Sequence, residues 1–157
     1  RLVDREFNLS HSEDWSVLAL CRTGPCQFGI DLELADRKVD HRQLAPRFFE
    51  SREVDSLRAK NWDPTFFFQI WTAKEAYLKS LGVGLHKPLD SFRVAEQGHM
   101  RAQVLELDSP QISPPQSQHH IIQLAPPPHI PQAVAHLVVN TTPTEIHSSF
   151  FDGHQKL

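Results

Sequence analysis

Three carboxylates and two amines in this chain stand at spacings that could do chemistry together. Asp31 and Glu33 are two apart in Gly29-Ile30-Asp31-Leu32-Glu33, a stretch of strand composition, so both side chains leave one face. Glu75 and Lys79 are four apart in Trp71-Thr72-Ala73-Lys74-Glu75-Ala76-Tyr77-Leu78-Lys79, where helical spacing puts them on one face with Trp71. Each feature also has an ordinary reading. Two carboxylates followed by Asp36, Arg37 and Lys38 suit a solvated strand end. A Glu–Lys pair one helical turn apart suits an exposed surface, where it contributes about 0.2–0.5 kcal/mol. Together they describe something narrower. Three carboxylates offer the hard oxygens that Mg²⁺ prefers, and Mg²⁺ keeps positions open for water or phosphate. Mn²⁺ accepts the same donors. The lysines beside Glu75 suit the charge of a pyrophosphate. His11, next to Ser10 at a strand end, suits either a further phosphate contact or a hydrogen-bonded structural role. The chemistry implied is a metal-assisted reaction at a phosphoanhydride. Trp71 is expected to pack in the core, as large aromatics on a helix face normally do.

The elements that must position these groups follow from patterning. Residues 7–11 have strand character, and residues 15–21 and 26–34 read as a hairpin about Arg22-Thr23-Gly24-Pro25. Asp40 caps a helix over 41–49, and Ser51 caps another over 52–60. Asp63-Pro64 starts a long helix that runs to Leu81, with Gly82 just past its end. Residues 91–95 and 100–107 read as a hairpin about Glu96-Gln97-Gly98-His99. A proline loop over 108–118 precedes strands at 119–124 and 133–139. Residues 141–157 read as a polar tail, poorly ordered or lying on the surface. The class is α+β, an antiparallel sheet packed on one long central helix. The segment from Leu34 to Leu57 carries Phe48, Phe49, Val54 and Leu57, which read as core or as an apolar patch for a partner helix.

Bulk properties exclude several functions. With 157 residues the chain suits one domain with a real core, and 39% apolar and 22% charged residues suit an ordinary globular protein. A net charge of −3 argues against nucleic-acid binding by bulk electrostatics. No apolar run has the length of a membrane helix, and no secretory segment opens the chain. Cys21 and Cys26 flank the 23–25 turn. They read as free thiols of a reducing compartment, with pairing across a hairpin as the alternative. A cytoplasmic location is expected. The ten histidines show no metal-ligand spacing.

Three blocks in order carry a resemblance. Phe7-Asn8-Leu9-Ser10-His11-Ser12, Gly29–Glu33 and Trp71–Lys79 resemble the signature blocks of the 4′-phosphopantetheinyl transferases, in particular the large Sfp-like class. Gly84-Leu85, Pro88-Leu89 and Ser91–Val94 resemble the segment that follows the last block, and the similarity covers roughly residues 5–140. The resemblance implies transfer of the 4′-phosphopantetheine arm of coenzyme A to a serine of an acyl, peptidyl or aryl carrier protein, releasing 3′,5′-ADP. It implies that Asp31, Glu33 and Glu75 ligate Mg²⁺ and that Glu75, directly or through a metal-bound water, takes the serine proton. It further implies that Lys79 meets the phosphate near the attacked phosphorus, and that Ser10, His11 and Lys74 contact coenzyme A, His11 near its 3′-phosphate. The implied fold is that of the family, with a transferase domain over residues 1–140. Large-class members have two similar halves, and only one half of that pseudo-twofold arrangement is complete here. With Arg1 as its first residue, the chain is expected to be a processed or truncated piece of a longer enzyme, with a short protein that rebuilds the missing half by association as the other explanation. A non-catalytic fragment that binds coenzyme A or a carrier protein is the alternative.

Overall fold

Capping and turn chemistry delimit the elements in the computed structural model, which describes residues 6–21, 26–82, 86–96, 101–106, 119–140 and 147–153. The turns expected at 22–25 and 97–99 and the loop expected at 108–118 lie outside the described residues. The order is β1 (Phe7–Ser12), β2 (Trp15–Leu20), β3 (Phe28–Leu34), α1 (His41–Phe48), α2 (Ser51–Ala59), α3 (Pro64–Leu81), a 3₁₀ turn (Leu89–Ser91), β4 (Phe92–Glu96), β5 (Arg101–Glu106), β6 (His120–Leu124), β7 (Ala133–Val139) and β8 (His147–Asp152). The α+β expectation holds.

Asp63 caps α3 through Thr65 and Phe66, Pro64 occupies the first turn, and Gly82 ends the helix at φ 66°, as expected. Asp40 caps α1. The cap of α2 is Glu50 rather than Ser51. Glu50 accepts from the Arg52 amide while Glu53 reaches back to the Glu50 amide, a capping box built from two glutamates.

Two antiparallel sheets form, ordered β1-β2-β8 and β3-β7-β6-β5-β4. The expected pairing of the second and third strands does not occur. β2 pairs with β1 from Ser12↔Trp15 to Phe7↔Leu20, through a two-residue turn with Glu13 at φ 53°. Its other edge is taken by β8, from Trp15↔Asp152 to Leu20↔His147. The stretch read as a polar tail therefore supplies an edge strand, and Phe150 packs on the core beside Val17 and Ala19. β3 pairs with β7 instead, placing Asp31 opposite His136. Cys21 and Cys26, expected as free thiols, are joined as a disulfide. They sit at the end of β2 and the start of β3 with Cα atoms 6.8 Å apart, within bridging reach.

The core has two sides of one sheet. Ile30, Leu32 and Leu34 of β3, with Ala133, Ala135, Leu137 and Val139 of β7, face Val17 and Ala19. The opposite face carries α3, which is buried nearly all round, from Phe67 and Phe68 to Leu78 and Ser80. Phe49, Val54 and Leu57 belong to the core under α1 and α2, which settles them as packing residues, while Phe48 is exposed. Trp71 stacks on Phe67 and meets Phe48 edge-on, as expected of a packing aromatic. No helix among the described residues is long and apolar enough to cross a membrane.

Candidate active site

Gly29 lets the site form. A Cβ built there would lie 2.2 Å from the Ala76 carbonyl oxygen and 2.5 Å from the Ser80 amide nitrogen, so α3 rests directly on the β3 backbone. Period-two alternation then turns Asp31 and Glu33 toward the same helix. Lys79 answers from α3. Its Nζ donates to Asp31 Oδ1 at 2.7 Å and to the Ile30 carbonyl at 3.1 Å. Motif comparison marks Gly29 only as part of a block. Its role in helix–strand approach is visible only in three dimensions.

β1 runs along the free edge of β3 and satisfies it with side chains. Asn8 Oδ1 accepts from the Ile30 amide, and Ser10 Oγ accepts from the Leu32 amide. Ser10 Oγ also donates to Asp31 Oδ1 at 2.9 Å, and Ser12 Oγ donates to Glu33 Oε2 at 2.7 Å. Ser10, expected to contact coenzyme A, is buried and fully occupied in holding Asp31. His11 alternates to the other face of β1 and is exposed there, away from the carboxylates. His11, expected to meet coenzyme A near its 3′-phosphate, is therefore not among the groups gathered around the carboxylates.

Electrostatics tie the three carboxylates together. Burial pushes the Asp31 carboxyl above its usual range; Lys79 and Ser10 oppose this, and Glu33 adds to it. Burial also raises Glu75, and the negative charges of Asp31 and Glu33 raise it further against the pull of Lys79. Glu33 is paired with Arg37. Among the described residues no three metal-ligating side chains converge closely enough to hold an ion. Asp31 is paired with Lys79, and Glu33 with Arg37. The donor set nevertheless fits a hard divalent cation in kind: three carboxylates on two facing elements, two of them made costly to ionise by burial, a cost that a cation would relieve.

Lys74 departs from expectation. It is 0% exposed, and its Nζ is 2.8 Å from Glu53 Oε2 within the core, so the phosphate contact expected of it is not available from this position. A feature that sequence reasoning missed lies on β7. His136 Nδ1 is 2.7 Å from Thr72 Oγ1, and burial lowers the imidazole pKa to about 4. Thr72 donates its own proton to the Phe68 carbonyl, so the neutral ring donates from Nδ1. The available signal was one histidine inside the otherwise apolar run Ala133–Val139. Beside Lys79 an open cleft of about 590 Å³ is lined by Phe7, Gln27, Phe28, Ser80 and Asn140, among others.

A carboxylate strand lies under a carboxylate–lysine helix in an α+β protein of two antiparallel sheets. The chain belongs to the 4′-phosphopantetheinyl transferase superfamily, whose model matches residues 27–135. Its relatives are of the Sfp-like kind. It is 35% identical over 113 residues to the 4′-phosphopantetheinyl transferase Sfp of Bacillus subtilis, covering 69% of this chain and 48% of that protein. It is 32% identical over 139 residues to the 4′-phosphopantetheinyl transferase psf-1 of Bacillus pumilus, covering 86% of this chain and 58% of the other. With the 4′-phosphopantetheinyl transferase HetI of Nostoc sp. it shares 45% over 91 residues, 57% of this chain and 37% of the relative. The fold resembles that of the holo-[acyl-carrier-protein] synthase of Thermotoga maritima at a TM-score of 0.55, with 17% identity over 73% of this chain and 63% of that one. The chain spans about half the length of the Sfp relative.

Proposed function

We propose that this chain carries the metal-and-phosphate half of a 4′-phosphopantetheinyl transferase site. It would move the 4′-phosphopantetheine arm of coenzyme A to a serine of an acyl, peptidyl or aryl carrier protein, with Mg²⁺ and release of 3′,5′-ADP. One observation supports this above the others: α3 brings Glu75 and Lys79 over Asp31 and Glu33, in an array whose charges are mutually coupled.

Asp31, Glu33 and Glu75 would hold the cation, with Lys79 and Arg37 yielding the carboxylates to it. Bound there, Mg²⁺ would neutralise pyrophosphate charge. Lys79, released from Asp31, would turn its ammonium to the phosphate beside the attacked phosphorus. Ser10 and Ser12 would keep Asp31 and Glu33 in place. In the transfer, the carrier serine oxygen bonds to the attacked phosphorus. The bond from that phosphorus to the bridging oxygen breaks, and the bridging oxygen leaves with 3′,5′-ADP. The serine proton would pass to Glu75, directly or through a water. His11, exposed on the outer face of β1, is proposed as a contact to the 3′-phosphate of coenzyme A, remote from the reacting atoms. The cleft beside Lys79 gives the coenzyme room.

The test is incubation of the protein with coenzyme A, Mg²⁺ and an apo carrier protein. The expected product is a carrier heavier by one phosphopantetheine arm, and its absence with acyl, peptidyl and aryl carriers alike counts against the reading. A second reading, a fragment that binds coenzyme A or a carrier without transfer, is favoured by the share of the relatives that the chain spans. Calorimetric binding of coenzyme A without any mass shift would select it. We also propose a cytoplasmic location, where on this reading the chain would meet coenzyme A and its carrier protein; the disulfide removes the free-thiol support for it.

A further inference from the structure

The strongest unused feature is a charge pair in the core. Lys74 and Glu53 are 0% and 3% exposed, with 2.8 Å between Nζ and Oε2. Lys74 Nζ also donates to the carbonyls of Leu89 at 2.7 Å and Phe92 at 2.6 Å, so three N–H groups meet three acceptors. The Phe92 ring lies 4.3 Å from the ammonium. Glu53 in turn accepts from the amides of Val94 and Glu50. One hub thus ties α3 to α2, the 3₁₀ turn and β4.

Such a pair is a poor way to gain stability, because apolar side chains of like volume generally do as well. What it supplies is direction. Apolar contacts tolerate a small rotation of a helix, whereas an ammonium with three fixed acceptors does not. Successive residues on a helix are about 100° apart. Holding Lys74 toward Glu53 therefore sets Glu75 toward Asp31. Among the described residues none donates a hydrogen bond to Glu75, so its carboxylate is placed by the helix that carries it.

We propose that the Lys74–Glu53 pair fixes the rotation of α3 and thereby the position of Glu75, making Lys74 a positioning residue rather than a phosphate contact. The proposal rests on the metal-and-phosphate reading of the Glu75 cluster. Its test uses the full chain and three variants, Lys74→Met, Glu53→Gln and the double variant Lys74→Met/Glu53→Met. Two quantities are read for each: the urea midpoint, and the Mn²⁺ affinity measured by calorimetry without coenzyme A. Lys74→Met leaves the Glu53 carboxylate and the Leu89 and Phe92 carbonyls unanswered, Glu53→Gln turns one of the acceptor oxygens into a donor, and each is expected to lower both quantities. The double variant removes the unpaired buried charge but leaves the Leu89 and Phe92 carbonyls and the Val94 and Glu50 amides unanswered. It is therefore expected to recover part of the urea midpoint lost in Lys74→Met yet to bind Mn²⁺ about 10-fold or more weakly, the size of effect seen when groups that orient metal ligands are lost. A double variant that binds Mn²⁺ as tightly as the unaltered chain overturns the proposal. Glu75→Gln in the unaltered background tests the underlying reading separately. If Glu75→Gln weakens Mn²⁺ and the double variant does not, the positioning role alone fails. If the unaltered chain binds no Mn²⁺, both fail.

Discussion

Glu75 is a residue whose charge costs stability where it stands. Burial and the charges of Asp31 and Glu33 raise its pKa, so the ionised form is held at a penalty in the cation-free protein. Glu75→Gln keeps the shape and removes that charge. The expected outcome is a melting temperature at or above that of the parent, together with a loss of transfer activity of about 10²–10⁴-fold, the usual contribution of a general base. An active Glu75→Gln enzyme would remove this residue from the mechanism. His136 permits a pH prediction with a definite sign. Its folded pKa is about 4 against 6.5 unfolded. Between those values the unfolded chain binds a proton that the folded chain refuses, so the contribution is complete above pH 6.5 and is lost as pH falls toward 4. Its full size is about 3 kcal/mol at 1.36 kcal/mol per pKa unit. His136→Gln cannot titrate. Urea midpoints measured from pH 7 to 4.5 should therefore fall more for the parent than for the variant; parallel curves would show that the imidazole is not excluded from protonation.

Strand and helix meet at Gly29, and the approach distance there belongs to the pair of elements rather than to either alone. Gly29→Ala places a methyl group on the Ala76 carbonyl and the Ser80 amide, both backbone atoms that cannot rotate away. α3 must move off β3, with an expected loss of about 3 kcal/mol, at the upper end for overpacking. The same movement separates Lys79 from Asp31, so activity should fall further than the folded fraction does; comparing specific activity with circular dichroism across a urea series separates the two effects. How much of this was legible beforehand varied with the range of the interaction. Asp40, Asp63 and Gly82 act on their own neighbours, so their caps could be placed from the sequence. The carboxylates and Lys79 were legible because alternation and helical spacing fix which side chains share a face. Lys74 was not, because its partner Glu53 lies on another helix and no local period reveals it. Ser10 likewise read as a ligand contact because the edge of β3 that it satisfies is not a local feature.

At the scale of the whole molecule, the C-terminal stretch changes from an appendage to part of the fold. Its isolated Phe150-Phe151 among serines gave little periodicity, and the strand exists because β2 has an edge to offer it. β8 covers that edge, and Phe150 reaches the cluster formed by Val17, Ala19 and the β3–β7 pair. That cluster lies on the far side of β3 from Glu75, so the strand supports the site through the sheet and not by contact. Ending the chain at residue 146 should therefore uncover the edge of β2 and the aliphatic face beneath Phe150. The expected loss is about 2–3 kcal/mol for the aromatic alone. Phe150→Ala should reproduce most of this loss, whereas Phe151→Ala, on the exposed face, should leave the urea midpoint almost unchanged. If instead the truncated chain and the parent unfold at the same urea concentration, β8 contributes nothing to the fold, and the domain ends near Asn140.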